Sequence, residues 1–235
     1  MIDIPDHGAR VAAALRGAIA AQPHRDAVGA ADDMLAVAEC IMGGGGLDLD
    51  ELKQRHLPDR AGPALLVRVL PIGLATPLDR PRVRRDAYRC AAAGGADEGT
   101  TLVCIASALV VADLLRFDPL TTAIRVRQSL LEDAPMALLD RVSLLPAETE
   151  LNGVDEDPGA ALQLALSAVS WTGSAGVAAV LARLGESGRG DLGTLAAALA
   201  GSASGACDVP VDGPVAARVD GIARALAEIP ARAAV

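Results

Sequence analysis

The sequence predicts an all-α protein, and three observations carry that expectation. Hydrophobic residues make up 51% of the 235 residues but aromatics only 1%, so the core must be assembled from Ala, Leu and Val. Ala and Leu are strong helix formers, whereas Tyr, Phe and Trp, which favour strands, are nearly missing. No stretch alternates apolar and polar residues over a useful length. The length allows one large domain or two small ones; we read 1–235 as a single domain of roughly ten to twelve helices.

The elements follow from apolar spacing and stop signals. Residues 8–21 form an Ala-rich helix ended by Gln22-Pro23, and a second runs from about Asp26 or Ala31 to Met42, stopped by Gly43–Gly46. Asp48 suits the N-cap of a short helix, Leu49 to His56, with Glu51 at its third position. The apolar helix 61–75 contains Pro71, which must kink or end it. A helix opening after Pro81 carries Arg80, Arg82, Arg84, Arg85 and Arg89, read as a solvated face paired with Asp79 and Asp86. Thr101–Leu115 is apolar on all sides and belongs at the buried centre. Helices at about 119–131 and 134–145 follow. The acidic loop Glu148–Asp157 opens a helix at Gly159–Trp171, whose Leu162, Leu166 and Val169 face the core opposite Gln163, Ser167 and Ser170. Ser174–Leu184 and Pro214–Ile229 complete the set, on either side of the stretch that organises the chain.

That stretch is Gly185–Cys207. A loop of glycine and charge, Glu186–Gly190, leads into a helix with Asp191 at its N-cap position. Gly193, Ala197, Gly201 and Gly205 recur at four-residue spacing and share one face. A Gly inside a helix costs about 1 kcal/mol, so this stripe predicts a closely packed neighbouring helix.

Net charge is −9, which argues against a general nucleic-acid or anionic-membrane partner. Cys40, Cys90, Cys104 and Cys207 form no CxxC pair, and three lie in apolar runs; they read as buried free thiols in a reducing compartment. The N-terminus carries acids where a signal peptide would carry basic residues. The longest apolar run, Leu102–Ala112, is far shorter than the ~20 residues of a membrane span. The expectation is a cytoplasmic protein. His7, His24 and His56 show no ligand spacing, and no G-x-S-x-G, H-E-x-x-H or P-loop pattern occurs.

Three segments together resemble the ADP-ribosylglycohydrolase family of the dinitrogenase-reductase-activating type. L-V-R-V-L-P-I-G-L, residues 66–74, is similar to that family's M-R-V-x-P-[IL]-G-L helix. Residues 185–205 resemble its G-G-D-x-D-T loop and the small-residue helix after it. A-D-D-M-L-A-V-A-E, residues 31–39, stands where the family has [ST]-D-D-T. The resemblance implies an all-α, orthogonally packed multi-helix domain with a central cleft. It also implies two Mg²⁺ ions held there by aspartates, activating water at the anomeric carbon of ADP-ribose; hard oxygen ligands suit that ion.

The chain departs from the family where those ions would bind. Aligned on Gly201 and Gly205, the late motif reads Glu186, Ser187, Gly188, Arg189, Gly190, Asp191, so both metal-binding aspartates fall on glycines. Aligned on Ala38-Glu39, the early motif reads Val28, Gly29, Ala30, Ala31; the threonine–histidine segment has become Gly95-Ala96-Asp97-Glu98-Gly99. No metal site is assigned, and Mg²⁺ in the family's two-ion arrangement is not expected.

The candidate catalytic residues are Asp32, Asp33, Asp97, Glu98 and Asp191. The first four also suit helix starts, where carboxylates cap backbone N–H groups. Gly188, Arg189, Gly190 and Asp191 form a candidate ligand loop, since an arginine beside free N–H groups can hold an anion; a solvated loop arginine fits the same pattern. Three functions follow. The leading one is a divergent member without its di-magnesium centre, binding a ribose- or nucleotide-like or other small metabolite, with or without metal-independent chemistry. The others are an active N-glycosidic hydrolase with a rebuilt acidic site, and a helical partner-binding protein with a filled cleft. Residues 26–33, 95–100 and 186–191 should converge.

Overall fold

A computed structural model describes residues 6–22, 29–143, 157–173, 175–185, 190–211 and 213–232. Its described residues form helices and no strand. In chain order the helices are α1 (His7–Ala21), α2 (Ala30–Met42), α3 (Leu49–Gln54), α4 (Pro63–Arg68), α5 (Leu70–Ala75), α6 (Arg80–Ala93) and α7 (Glu98–Leu114). They continue with α8 (Pro119–Leu130), α9 (Met136–Ser143), α10 (Pro158–Thr172), α11 (Val177–Leu184), α12 (Asp191–Ser204) and α13 (Gly213–Arg232). The expected all-α class is observed. No helix among the described residues is long and apolar enough to cross a membrane.

Helix α7 is the hub, as its all-round apolar sequence requires. From Val103 to Leu114 every residue is buried, and the helix meets α4, α5, α6, α8, α10 and α12. The approach of α5 depends on Gly73, where a Cβ would collide with the Ala108 carbonyl. The stripe on α12 meets α1: Gly201 lies against the Ala13 backbone, and a Cβ on Gly17 would stand 2.5 Å from the Ala197 carbonyl oxygen. Two helices thus give up side chains at one crossing. Arg10 of α1 closes the same contact by donating to the Ser202 carbonyl at 2.9 Å near the end of α12, which satisfies an acceptor the helix leaves open.

The 61–75 helix is interrupted as expected, ending at Arg68 and restarting at Leu70; Pro71 sits in the first turn of α5, where its missing N–H is no loss. Arg68 thereby becomes the last residue of α4. Other expectations are corrected. The arginines of α6 are not one solvated face. Arg82 pairs with Asp79, and Arg85 and Arg89 with Asp86 as expected, but Asp86 is itself buried. Arg80 runs inward to Asp113 of α7, and Arg84 pairs with Asp133 and the Ser129 carbonyl. Ser167 is buried rather than on a polar face.

Candidate functional site

The site is built around Asp33. Helix α2 starts at Ala30 with Gly29 as its N-cap residue, and Asp32 reaches back so that its Oδ2 accepts from the Gly29 N–H at 3.0 Å. The same oxygen accepts from Gln22 Nε2 at 3.0 Å. Asp32 is therefore a helix cap, one of its two expected roles. Asp33 is not. The next residue around the helix points inward and is 1% exposed, too deep to stay charged without cations beside it.

Two arginines supply that charge. Arg60, in the linker between α3 and α4, brings Nε to 2.9 Å from Asp33 Oδ2. Arg68, 2% exposed, brings Nη2 to 2.7 Å from the same oxygen and donates to the Pro58 carbonyl at 2.5 Å. The hydrogen bond to Asp33 holds the Arg60 guanidinium above its ordinary pKa, and the charges of Asp33, Asp191 and Asp32 add to it. Asp33 Oδ1 and Arg68 Nε are both buried without a hydrogen-bond partner.

The remaining candidates divide. Asp191 is the first residue of α12 rather than its N-cap; Gly190 takes that position with φ 92°, a conformation that suits glycine. Asp191 and Asp32 thus join Asp33 in the field around Arg60. Arg189 and Gly188 lie outside the described residues, as does the acidic loop up to Glu156. Asp97 caps α7, accepting from the Thr100 N–H at 2.6 Å, and that backbone bond holds its carboxyl below the ordinary range. Glu98 lines a different groove, with Arg84, Tyr88 and Asp133. The 95–100 segment reaches the cluster only through the turn before it, where Gly94 lies against Arg68.

Cys40, Cys90 and Cys104 are buried and free. Burial pushes the Cys40 thiol up to about 11 and the Cys90 thiol up to about 12. Among the described residues, no three His, Cys, Asp or Glu side chains are grouped so as to hold a metal ion. Sequence reasoning missed both arginines. Arg68 carried a signal, being the one charged residue in the apolar run 61–75, which forces it to find a partner. Arg60, in a polar linker, carried none.

A cavity of about 130 Å³ opens beside Asp32, lined by Ile19, Gln22, Pro210, Val211 and Val215. No protein-family model matches the sequence, and no curated protein does. Among solved structures, an ADP-ribosylglycohydrolase-related protein complex matches with a TM-score of 0.66 at 19% identity. The match covers 95% of this chain and 97% of the other. The chain therefore has the all-α fold of an ADP-ribosylglycohydrolase-related protein.

Proposed function

We propose that this protein is a distant relative of the ADP-ribosylglycohydrolases that works without the two-magnesium centre and binds a small ribose-like ligand in the cleft. One observation carries the reading: the only oxygen of Asp33 with partners faces two guanidinium groups, at 2.9 and 2.7 Å. A divalent ion placed among Asp32, Asp33 and Asp191 would have to displace or repel Arg60. The donor set fits Mg²⁺ poorly for a second reason. Asp32 Oδ2 is already taken by two N–H donors, while Mg²⁺ demands near-octahedral oxygen ligation. Arginine supplies the positive charge in place of metal, and no hydrolytic step is routed through an ion.

The cavity beside Asp32 supports the ligand class. Its volume of about 130 Å³ is below the ~300–1,000 Å³ of pockets that enclose drug-sized ligands, so it suits a sugar-sized group more than a whole nucleotide. Asp32 and Gln22 offer an acceptor and an amide to hydroxyl groups, and the remaining walls are apolar. The rebuilt hydrolase is less well supported, because Asp33 and Asp97 are committed to an ion pair and a cap.

Calorimetry with ribose and with ADP-ribose, with and without Mg²⁺, tests the reading beside a hydrolysis assay on an ADP-ribosylated peptide. Saturable binding of equal strength in both buffers, without turnover, is expected. Magnesium-dependent turnover would overturn the loss of the metal centre. No binding in either buffer would overturn the ligand and favour a partner-binding role.

A further inference from the structure

Arg68 does more than balance Asp33. Both of its hydrogen bonds leave from Nη2, and Nε is buried with no acceptor. Nη1 lies along Gly94, where a Cβ would stand only 2.8 Å away; glycine keeps that edge of the guanidinium uncovered. A cavity of about 210 Å³ opens at this edge, walled by Lys53, His56, Arg68, Cys90, Ala93 and Gly94. Arg68 and Cys90 are buried and form its floor, while Lys53, His56 and Ala93 are exposed at its mouth.

The chemistry of this wall is one-sided. It offers a guanidinium edge, an ammonium and an imidazole, and none of the residues lining it is acidic. Asp33 engages Arg68 from Nη2, and the nearby Glu39 and Glu51 are each held by Arg55. A guanidinium presents a planar fork of donors matched to carboxylate and phosphate oxygens. Here Nη1 is unused, since both hydrogen bonds leave from Nη2. The cavity has room for several waters and is too small for a drug-sized molecule.

We propose that this cavity between α3, α4 and α6 binds a small oxyanion, a phosphate or a short carboxylate, through Nη1 of Arg68 with Lys53 at its mouth. The anion takes up the Nη1 donors and leaves Nη2 to Asp33 and Pro58. The proposal does not depend on the ribose-like ligand, since neither Asp32 nor its cavity takes part.

Titration calorimetry with sodium phosphate and with sodium acetate, against sodium chloride at matched ionic strength, tests it on the full chain. Saturable binding of one or both oxyanions over chloride is expected, and the stronger arm identifies the class. Lys53→Glu should weaken that binding at least roughly tenfold, the scale of one charge-assisted contact. Ala93→Leu, which fills the mouth, should abolish it. Both substitutions fall on exposed residues, so the variants should melt cooperatively near the parent temperature. No saturable heat from either anion overturns the proposal, as does binding that both variants leave unchanged.

Discussion

Asp113 and Asp33 are each 1% exposed and each flanked by two arginines, yet the carboxylate accepts on both oxygens in one cluster and on a single oxygen in the other. Asp113 accepts from Arg80 Nη1 on both oxygens, at 2.8 and 2.7 Å, and Arg125 approaches at 3.4 Å. Arg80 spends its other donors on Ser129 Oγ at 3.0 and 2.6 Å and on the Arg125 carbonyl. At Asp33 one oxygen takes both cations and the other has no partner, and Arg68 uses one nitrogen of three. A carboxylate that accepts on both oxygens fixes packing, here the docking of α6 and α8 on α7. One with an open oxygen beside unused arginine donors leaves polar groups that a further partner could satisfy.

The largest effect should come from breaking the Asp113 cluster. Asp113→Ala leaves Arg80 without its carboxylate and should cost about 3–5 kcal/mol in chemical denaturation. Loss of less than about 1 kcal/mol would show that the cluster behaves like a surface pair.

A sharper contrast comes from replacing each ion pair by hydrophobic residues. Asp33→Leu with Arg68→Met removes two poorly satisfied groups and lets Arg60, already 23% exposed in its side chain, turn to water. That double variant should be neutral or more stable by up to about 4 kcal/mol. Asp113→Leu with Arg80→Met should remain destabilised by about 1–3 kcal/mol, because Ser129, Arg125 and its carbonyl lose their partners. Equal outcomes for the two swaps would mean that hydrogen-bond completion does not distinguish the clusters. A stabilised Asp33 variant would place the ion pair among features kept at the expense of stability.

The sequence made the helical scaffold legible because composition and apolar spacing are local signals. The all-round apolar run became the hub α7, and the glycine stripe became the crossing with α1, although its counterpart Gly17 passed unnoticed. The site was legible only in part. Asp32 behaves as a cap, one of the two roles the sequence offered it, but Asp33, one residue on, turns 100° or so around the helix and enters the core. No local pattern tells which of two adjacent aspartates does so, because the answer depends on Arg60 and Arg68, 27 and 35 residues away in sequence. Arg80 misled for the same reason: its partner Asp113 lies on another helix, in a run that otherwise reads as purely apolar.

The smallest effect belongs to another carboxylate held by two arginines, this time near the surface. Glu39 of α2, with its side chain 25% exposed, accepts from Arg55 at 2.6 Å and from Arg218 of α13 at 2.7 Å. Burial alone would push its carboxyl up, but the Arg218 and Arg55 hydrogen bonds and charges outweigh it and hold the group below the ordinary 4.5. A folded-state pKa below the unfolded one stabilises the fold above the unfolded value, and the gain is lost as pH falls through the folded value. Glu39→Gln should therefore cost no more than about 1 kcal/mol at pH 7. The gap from the parent should close as the pH drops below 4.5, when urea unfolding of the two proteins is compared across that range. A gap that stays constant to low pH would assign the loss to packing. It would leave the buried aspartates as the arginine-held carboxylates whose charge matters.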